Sequence, residues 1–189
     1  MSTPRRIAVI IGSLRKASFS RKAALAMKSV APPELDLQVT EIGDLALYNE
    51  ELDENPEATP QPWTRFRDVL RSSDGFLIFT PEYNRSLPGV LKNAIDVGSR
   101  PGGKSSWAGG KPAGVVSVTP YNNGAMSANH ALRQCMVYLD VPVMQQPEMY
   151  VSNAGKSFGD NGEFTSDDTK KLFTKFIGAY AAWVEKLAK

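Results

Sequence analysis

IAVIIGSLRKASFS, residues Ile7–Ser20, decides how the rest of this chain is read. It opens on five apolar residues, Ile7 to Ile11, most of them β-branched. A short continuous run of that kind is the pattern of a strand buried on both faces. Gly12 breaks the run, then come Ser13, Arg15, Lys16, Ser18 and Ser20, and a helix-forming stretch, Arg21–Val30, begins at once. The order is strand, tight turn, hydroxyl-rich loop, helix start. In a parallel α/β sheet that turn lies at the carboxyl end of its strand, where such folds bind ligands. The unpaired amides and dipole of a helix N-terminus favour an anion, so hydroxyls flanked by Arg15 and Lys16 make a candidate phosphate loop. A capped turn whose serines merely satisfy helix amides is the competing reading. Neither G-x-G-x-x-G nor G-x-x-x-x-G-K-[ST] occurs here, so the dinucleotide fingerprint and the Walker loop are both absent.

The remaining segments extend the same alternation. Strand one is expected over Arg6–Ile11 and the first helix over Ser20–Val30, with Ser20 as candidate N-cap and Ala31-Pro32-Pro33 as its end. Leu35–Ile42 alternates apolar and polar residues like an edge strand. The mixed apolar and acidic segment that follows, LALYNEELDENP, reads as a solvated connection. Pro62–Ser73 places Trp63, Phe66, Val69 and Leu70 at helical spacing. Gly75–Thr80 is a third, buried strand, followed by Pro81–Gly89 and a helix over Val90–Val97. After the Gly-rich loop Gly98–Lys111 come a fourth strand, Ala113–Thr119, a polar loop to Gly124, and a helix over Ala125–Leu139. Pro142–Gln145 is expected to be the fifth strand, and Thr165–Lys189 a long amphipathic terminal helix with an acidic first turn. Such alternation with short loops predicts a single α/β domain over residues 1–189, a doubly wound, five-stranded parallel sheet with helices on both faces. The strand order is then the flavodoxin-like 2-1-3-4-5, which puts the loops Gly12–Ser20, Pro81–Gly89 and Thr119–Gly124 on one rim.

Composition excludes several functions. The chain has 189 residues, 42% hydrophobic and 22% charged, and a formal charge of +2, too balanced for a nucleic-acid binder. One cysteine, Cys135, rules out a disulfide framework within the chain and fits a reducing compartment. With a single histidine, His130, a Cys/His zinc site is excluded, and no metal is expected. The polar N-terminus and the lack of a run of about 20 apolar residues predict a cytoplasmic protein with no membrane span. His130 reads as a core or subunit-interface residue and Cys135 as a buried helix residue.

The Pro81–Asn84 segment, PEYN, has what a flat heteroaromatic ligand needs. Backbone amides near Glu82–Asn84 can meet a ring edge, Tyr83 can pack against a ring, and the Asn84 amide both donates and accepts. Pro81 and Pro88 stiffen the loop. A turn into a helix is again the competing reading. Three stretches, GSLRKASFS at 12–20, TPEYNRSLPGVLKNAIDVGSR at 80–100 and LRQCMVYLD at 132–140, resemble the NADPH-dependent FMN reductase family over about residues 6–150. The resemblance implies FMN as cofactor and NADPH or NADH as co-substrate. It implies phosphate ligands at Ser13, Arg15 and Ser18, with Ser20 standing where the family has Asn. It implies flavin-ring contacts from Pro81, Glu82, Tyr83 and Asn84, and places Ser117 near the flavin. Tyr121, Asn122 and Asn123 depart from the family's Gly-rich pattern, and Arg85 stands where many relatives have an aromatic residue. Arg85 and Tyr121 are therefore candidate substrate contacts; for Arg85, a solvated rim charge is the alternative to an oxyanion contact.

The reaction expected from this resemblance is ping-pong hydride transfer from NAD(P)H through FMN N5 to a quinone, flavin, azo compound or chromate, with no catalytic side chain required. A flavodoxin-like electron carrier, or a flavin-free interaction protein, would use the same fold; the near-neutral charge speaks against an acidic carrier. A homodimer or homotetramer is expected, with the helix Ala125–Leu139, Trp107 and Met144–Met149 as apolar contact surface.

Overall fold

A computed structural model describes residues 3–55, 57–101 and 104–188. Parts of the expected N-terminal tail, of the Gly98–Lys111 loop and, at Lys189, of the terminal helix lie outside the described residues. The strands are β1 (Arg5–Ile11), β2 (Leu35–Thr40), β3 (Gly75–Thr80), β4 (Ala113–Val118) and β5 (Met149–Val151). The helices are α1 (Phe19–Ser29), α2 (Gln61–Ser72), α3 (Gly89–Ser99), α4 (Met126–Tyr138) and α5 (Asp167–Leu187). The sheet is parallel throughout, in the expected order β2-β1-β3-β4-β5.

Side-chain alternation splits the core into two layers. Ile7, Val9 and Ile11 face α1 and α5, packing with Met27, Phe173, Phe176 and Tyr180. Ala8 and Ile10 face the opposite way, with Trp63, Phe66, Leu91, Leu132 and Met136 from α2, α3 and α4. The Tyr180 hydroxyl donates to the Phe76 carbonyl at 2.8 Å, so the fully buried ring carries its polar end to a satisfied site. That burial pushes the phenol pKa well above its ordinary value. Gly75 and Gly114 make room for this ring: a Cβ on Gly114 would lie 3.1 Å from Tyr180 Cδ2.

Four expectations are corrected. Pro142–Gln145 is not the fifth strand: Val143 makes one isolated bridge to Ala113, and the strand proper is Met149–Val151, paired with Val116–Val118. Ser20 does not cap α1. Ser18 does, because its backbone is extended and its hydroxyl accepts from the Arg21 amide, whereas Ser20 is already helical. Trp107 offers no contact surface: it is fully buried between Phe66 and Phe76, and its indole N–H donates to the Ile95 carbonyl. Met144 and Met149 are likewise core residues.

The segment after β2 is anchored rather than solvated. Asp53 and Arg67 pair in bidentate fashion at 2.6 and 2.8 Å with both side chains nearly buried. Arg67 Nε also donates to the Val97 carbonyl, and the guanidinium lies over the Trp63 ring. Asn93 of α3 accepts from the Tyr48 amide and donates to the Leu45 and Ala46 carbonyls, which binds this connection to the edge of the rim. Asp53→Ala strands the Arg67 charge in the core. It is expected to lower the unfolding free energy in urea by about 3–5 kcal/mol, and the paired replacement Asp53→Leu with Arg67→Met by much less. Equal losses in the two variants would show that the ion pair is not what holds the segment.

Candidate flavin site

The rim is assembled where β1, β3 and β4 end side by side. The Gly12 amide donates to the Phe79 carbonyl at 2.7 Å and so joins the first two strand ends. A Cβ at Gly12 would sit 3.0 Å from Leu91 Cδ2 and 3.3 Å from the Phe79 oxygen, so glycine eases the close passage of the chain past α3. Beyond it, Ser13 and Ser18 are buried, while Arg15 and Lys16 are exposed and form no ion pair among the described residues. Among the described residues, the amides of Ser13 through Ala17 donate to no protein acceptor, nor do those of Phe19 and Ser20 in the first helical turn. Ser20 is 1% exposed and its hydroxyl has no hydrogen-bond partner among the described residues. The loop is therefore a row of donors with two cations beside it and nothing among the described residues to accept from them.

The second loop is a tight hairpin. Tyr83 and Ser86 exchange both backbone hydrogen bonds at 3.0 Å, and Asn84 (φ 51°) and Arg85 (φ 64°) form its tip. Positive φ at both central residues is the requirement of a type I′ turn, which Asn meets readily and Arg does not. Tyr83 is half-exposed and Arg85 projects into solvent. The Tyr83 amide is engaged in the hairpin, but those of Glu82 and Asn84 donate to no acceptor among the described residues. The Glu82 carboxylate accepts from Asn123 Nδ2 at 3.1 Å and from the Ala128 amide at 3.2 Å.

The third loop, Thr119–Gly124, is shaped from beneath. Ser117 is fully buried; its hydroxyl donates to the Gly124 carbonyl at 2.6 Å and accepts from Asn129 Nδ2 at 3.3 Å. Gly124 adopts φ +59°, and a Cβ there would lie 2.6 Å from Tyr150 Cβ. Thr119 and Tyr121 are further tied to Val151, Asn153 and Ala154 by backbone bonds. Tyr121 stands 74% exposed above this scaffold. Sequence reasoning missed Asn129 and the 151–154 support; an amide side chain three residues before Leu132 on the core stripe was the available signal for Asn129.

The family model of the NADPH-dependent FMN reductases matches residues 5–156, a span that contains all three loops. The chain belongs to this family. Among curated proteins, it is 52% identical over 185 residues to a quinone reductase of Pseudomonas putida, covering 98% of this chain and 97% of that protein. It is 42% identical over 179 residues to a 2-hydroxy-1,4-benzoquinone reductase of a Burkholderia species, covering 95% and 96%. Among solved structures, FerB of Paracoccus denitrificans, described as a flavoenzyme NAD(P)H:(acceptor) oxidoreductase, superposes with a TM-score of 0.90. It shares 36% identity and covers 98% of this chain and all of that one. This FMN reductase family member is an FMN- and NAD(P)H-dependent oxidoreductase whose acceptor is a small molecule. No helix among the described residues is long and apolar enough to cross a membrane.

In this reductase the back of the third loop carries an aromatic pair. His130 is exposed, and its Nε2 lies 3.0 Å from the Tyr150 hydroxyl with the rings stacked at 9°. Burial first, then the neighbouring Glu148, pushes the Tyr150 phenol up to about 12. The neutral phenol is thus favoured by the folded state. Its contribution is complete below pH 10, where the unfolded side chain titrates, and is lost as pH rises towards 12. Urea midpoints measured from pH 9 to 12 are expected to fall with a steeper slope in the wild type than in Tyr150→Phe; parallel curves would remove Tyr150 from the alkaline limb.

Proposed function

We propose that the reductase binds FMN across these three loops and reduces a quinone. The observation that carries the reading is the donor loop: among the described residues, five consecutive amides, Ser13 to Ala17, have no acceptor and the buried Ser20 hydroxyl has no partner. A buried hydroxyl left unpaired costs about 1–3 kcal/mol, which a phosphate oxygen would relieve. On this reading the amides, Ser13, Ser18 and Ser20 surround the phosphate, and Arg15 adds a charge-assisted bond. The amides of Glu82 and Asn84, with the Asn84 side chain, meet the polar edge of the ring, while Pro81 stiffens the approach and Tyr83 covers a face. Ser117 acts from below by holding Gly124 in place. Arg85 and Tyr121 flank the outer side, where the nicotinamide and then the acceptor stack in turn; the Arg85 guanidinium suits the phosphates of NADPH or an anionic quinone. When bound, the flavin supplies the redox chemistry, taking a hydride from NAD(P)H and handing two electrons to the acceptor. The protein's part is to orient both partners and to exclude water. The quinone-named relatives support a quinone ahead of chromate, azo compounds or free flavin.

The test begins with the purified protein. It is expected to keep a yellow flavin through gel filtration and to oxidise NADPH with benzoquinone as acceptor and no other protein present. A colourless protein that takes up no added FMN would sink the reading. Arg15→Ala is expected to weaken FMN binding about 10–100-fold, the worth of one charge-assisted bond, by fluorescence titration.

We further propose that the chain forms one domain, works in the cytoplasm and assembles as a homodimer or homotetramer. Support for assembly comes from Val137 and Tyr138 at the end of α4, which are 79% and 86% exposed. Tyr138→Asp combined with Val137→Asp is expected to yield a 20.6 kDa species in sedimentation where the wild type sediments as a multiple of it. A wild type that runs only as the single chain would reject assembly.

A further inference from the structure

We infer that Glu82 is a positioning residue that clasps the ring loop to the start of α4, and so sets the spacing of two walls of the flavin site. The inference rests on the flavin reading above for its functional meaning, but its geometry stands alone. Helix α4 begins without a cap of its own: Ala125 precedes it in left-handed backbone (φ 56°) and has no side-chain oxygen. An N-cap side chain ordinarily accepts from the second or third helical amide. Here the third helical amide, that of Ala128, donates to Glu82 Oε2 at 3.2 Å, from a loop 46 residues earlier. The second carboxylate oxygen accepts from Asn123 Nδ2 at 3.1 Å. Asn123 is in turn folded back on the helix start, its Oδ1 accepting from the Ala125 amide and its carbonyl from the Met126 amide. A negative group at the positive end of α4 is favoured by the helix dipole as well as by the hydrogen bonds.

The consequence is mechanical. The hairpin at Tyr83–Ser86 closes on itself and makes no other backbone bond among the described residues, so its position against the Thr119–Gly124 loop depends on what its neighbours hold. Glu82 lies immediately before Tyr83, and Asn123 immediately before Gly124. Removing the carboxylate leaves the Ala128 amide and Asn123 Nδ2 without their acceptor and frees the two loops to separate. The carboxylate itself is engaged by the protein, which leaves the backbone of residue 82 as its contribution to a ligand.

Glu82→Ala and Glu82→Gln separate this role from simple folding. Glutamine keeps an acceptor for Ala128, and Asn123 can turn its amide to meet the new side chain. In the apoprotein, hydrogen exchange at the Ala128 amide is expected to speed up at least tenfold in Glu82→Ala and much less in Glu82→Gln, with the thermal midpoint of both close to wild type. In the flavin-loaded protein, Glu82→Ala is expected to raise the FMN dissociation constant at least tenfold and to shift the visible flavin band; Glu82→Gln recovers most of both. Unchanged exchange at Ala128 in Glu82→Ala would overturn the clasp, whatever the flavin does. Faster exchange with wild-type FMN affinity and spectrum would show a cap with no positioning role and would overturn the inference too. If the wild type binds no FMN, the flavin reading fails, and the exchange measurement still decides the clasp.

Discussion

The bond from the Gly12 amide to the Phe79 carbonyl is the constraint on which the site depends. It locks the ends of β1 and β3 together at the point where the chain order of the sheet reverses. From there one chain turns to α1 on one face and the other to α3 on the opposite face, so the loops must diverge and leave a crevice between them. A Cβ on residue 12 would crowd Leu91 and the Phe79 oxygen. Glycine thus suits the geometry of this crossing whatever the loop binds. The donor-rich loop that follows inherits its position from that bond.

Much of this was readable in the amino-acid order. The β-branched run at Ile7–Ile11, the alternation of segments and the short connections were enough for the sheet order and for which loops share a rim. The fifth strand was misplaced for a physical reason. PVMQ and MYV are both short and apolar, and a three-residue strand carries too little pattern to outvote a neighbour that lies against the base of β4. The N-cap of α1 was missed by two residues because Ser18 and Ser20 are chemically alike and only backbone dihedrals tell a cap from a first-turn residue.

Contacts between distant residues were not legible. LALYNEELDENP looks acidic and solvated, yet Asp53 lies buried against Arg67, fourteen positions on, and no local pattern marks either as paired. Ser117 was placed at the flavin by resemblance, but the direction of its hydroxyl, towards Gly124, belongs to the packed structure. Trp107 in a Gly-rich loop reads as exposed; in three dimensions it fills the space that Gly98 leaves on α3 and that the Phe66 and Phe76 rings enclose. In each case the missing information is a tertiary partner rather than a propensity.

The self-closed hairpin bears on how freely this chain can vary at one position. Its two mutual bonds hold residues 83 and 86, while residue 85 rides on the tip with its side chain in solvent and its backbone in a conformation that Gly or Asn would adopt more easily. Exchange of that side chain leaves the sheet, the core and the donor loop untouched. That turn position is thus open to replacement almost free of selection on folding.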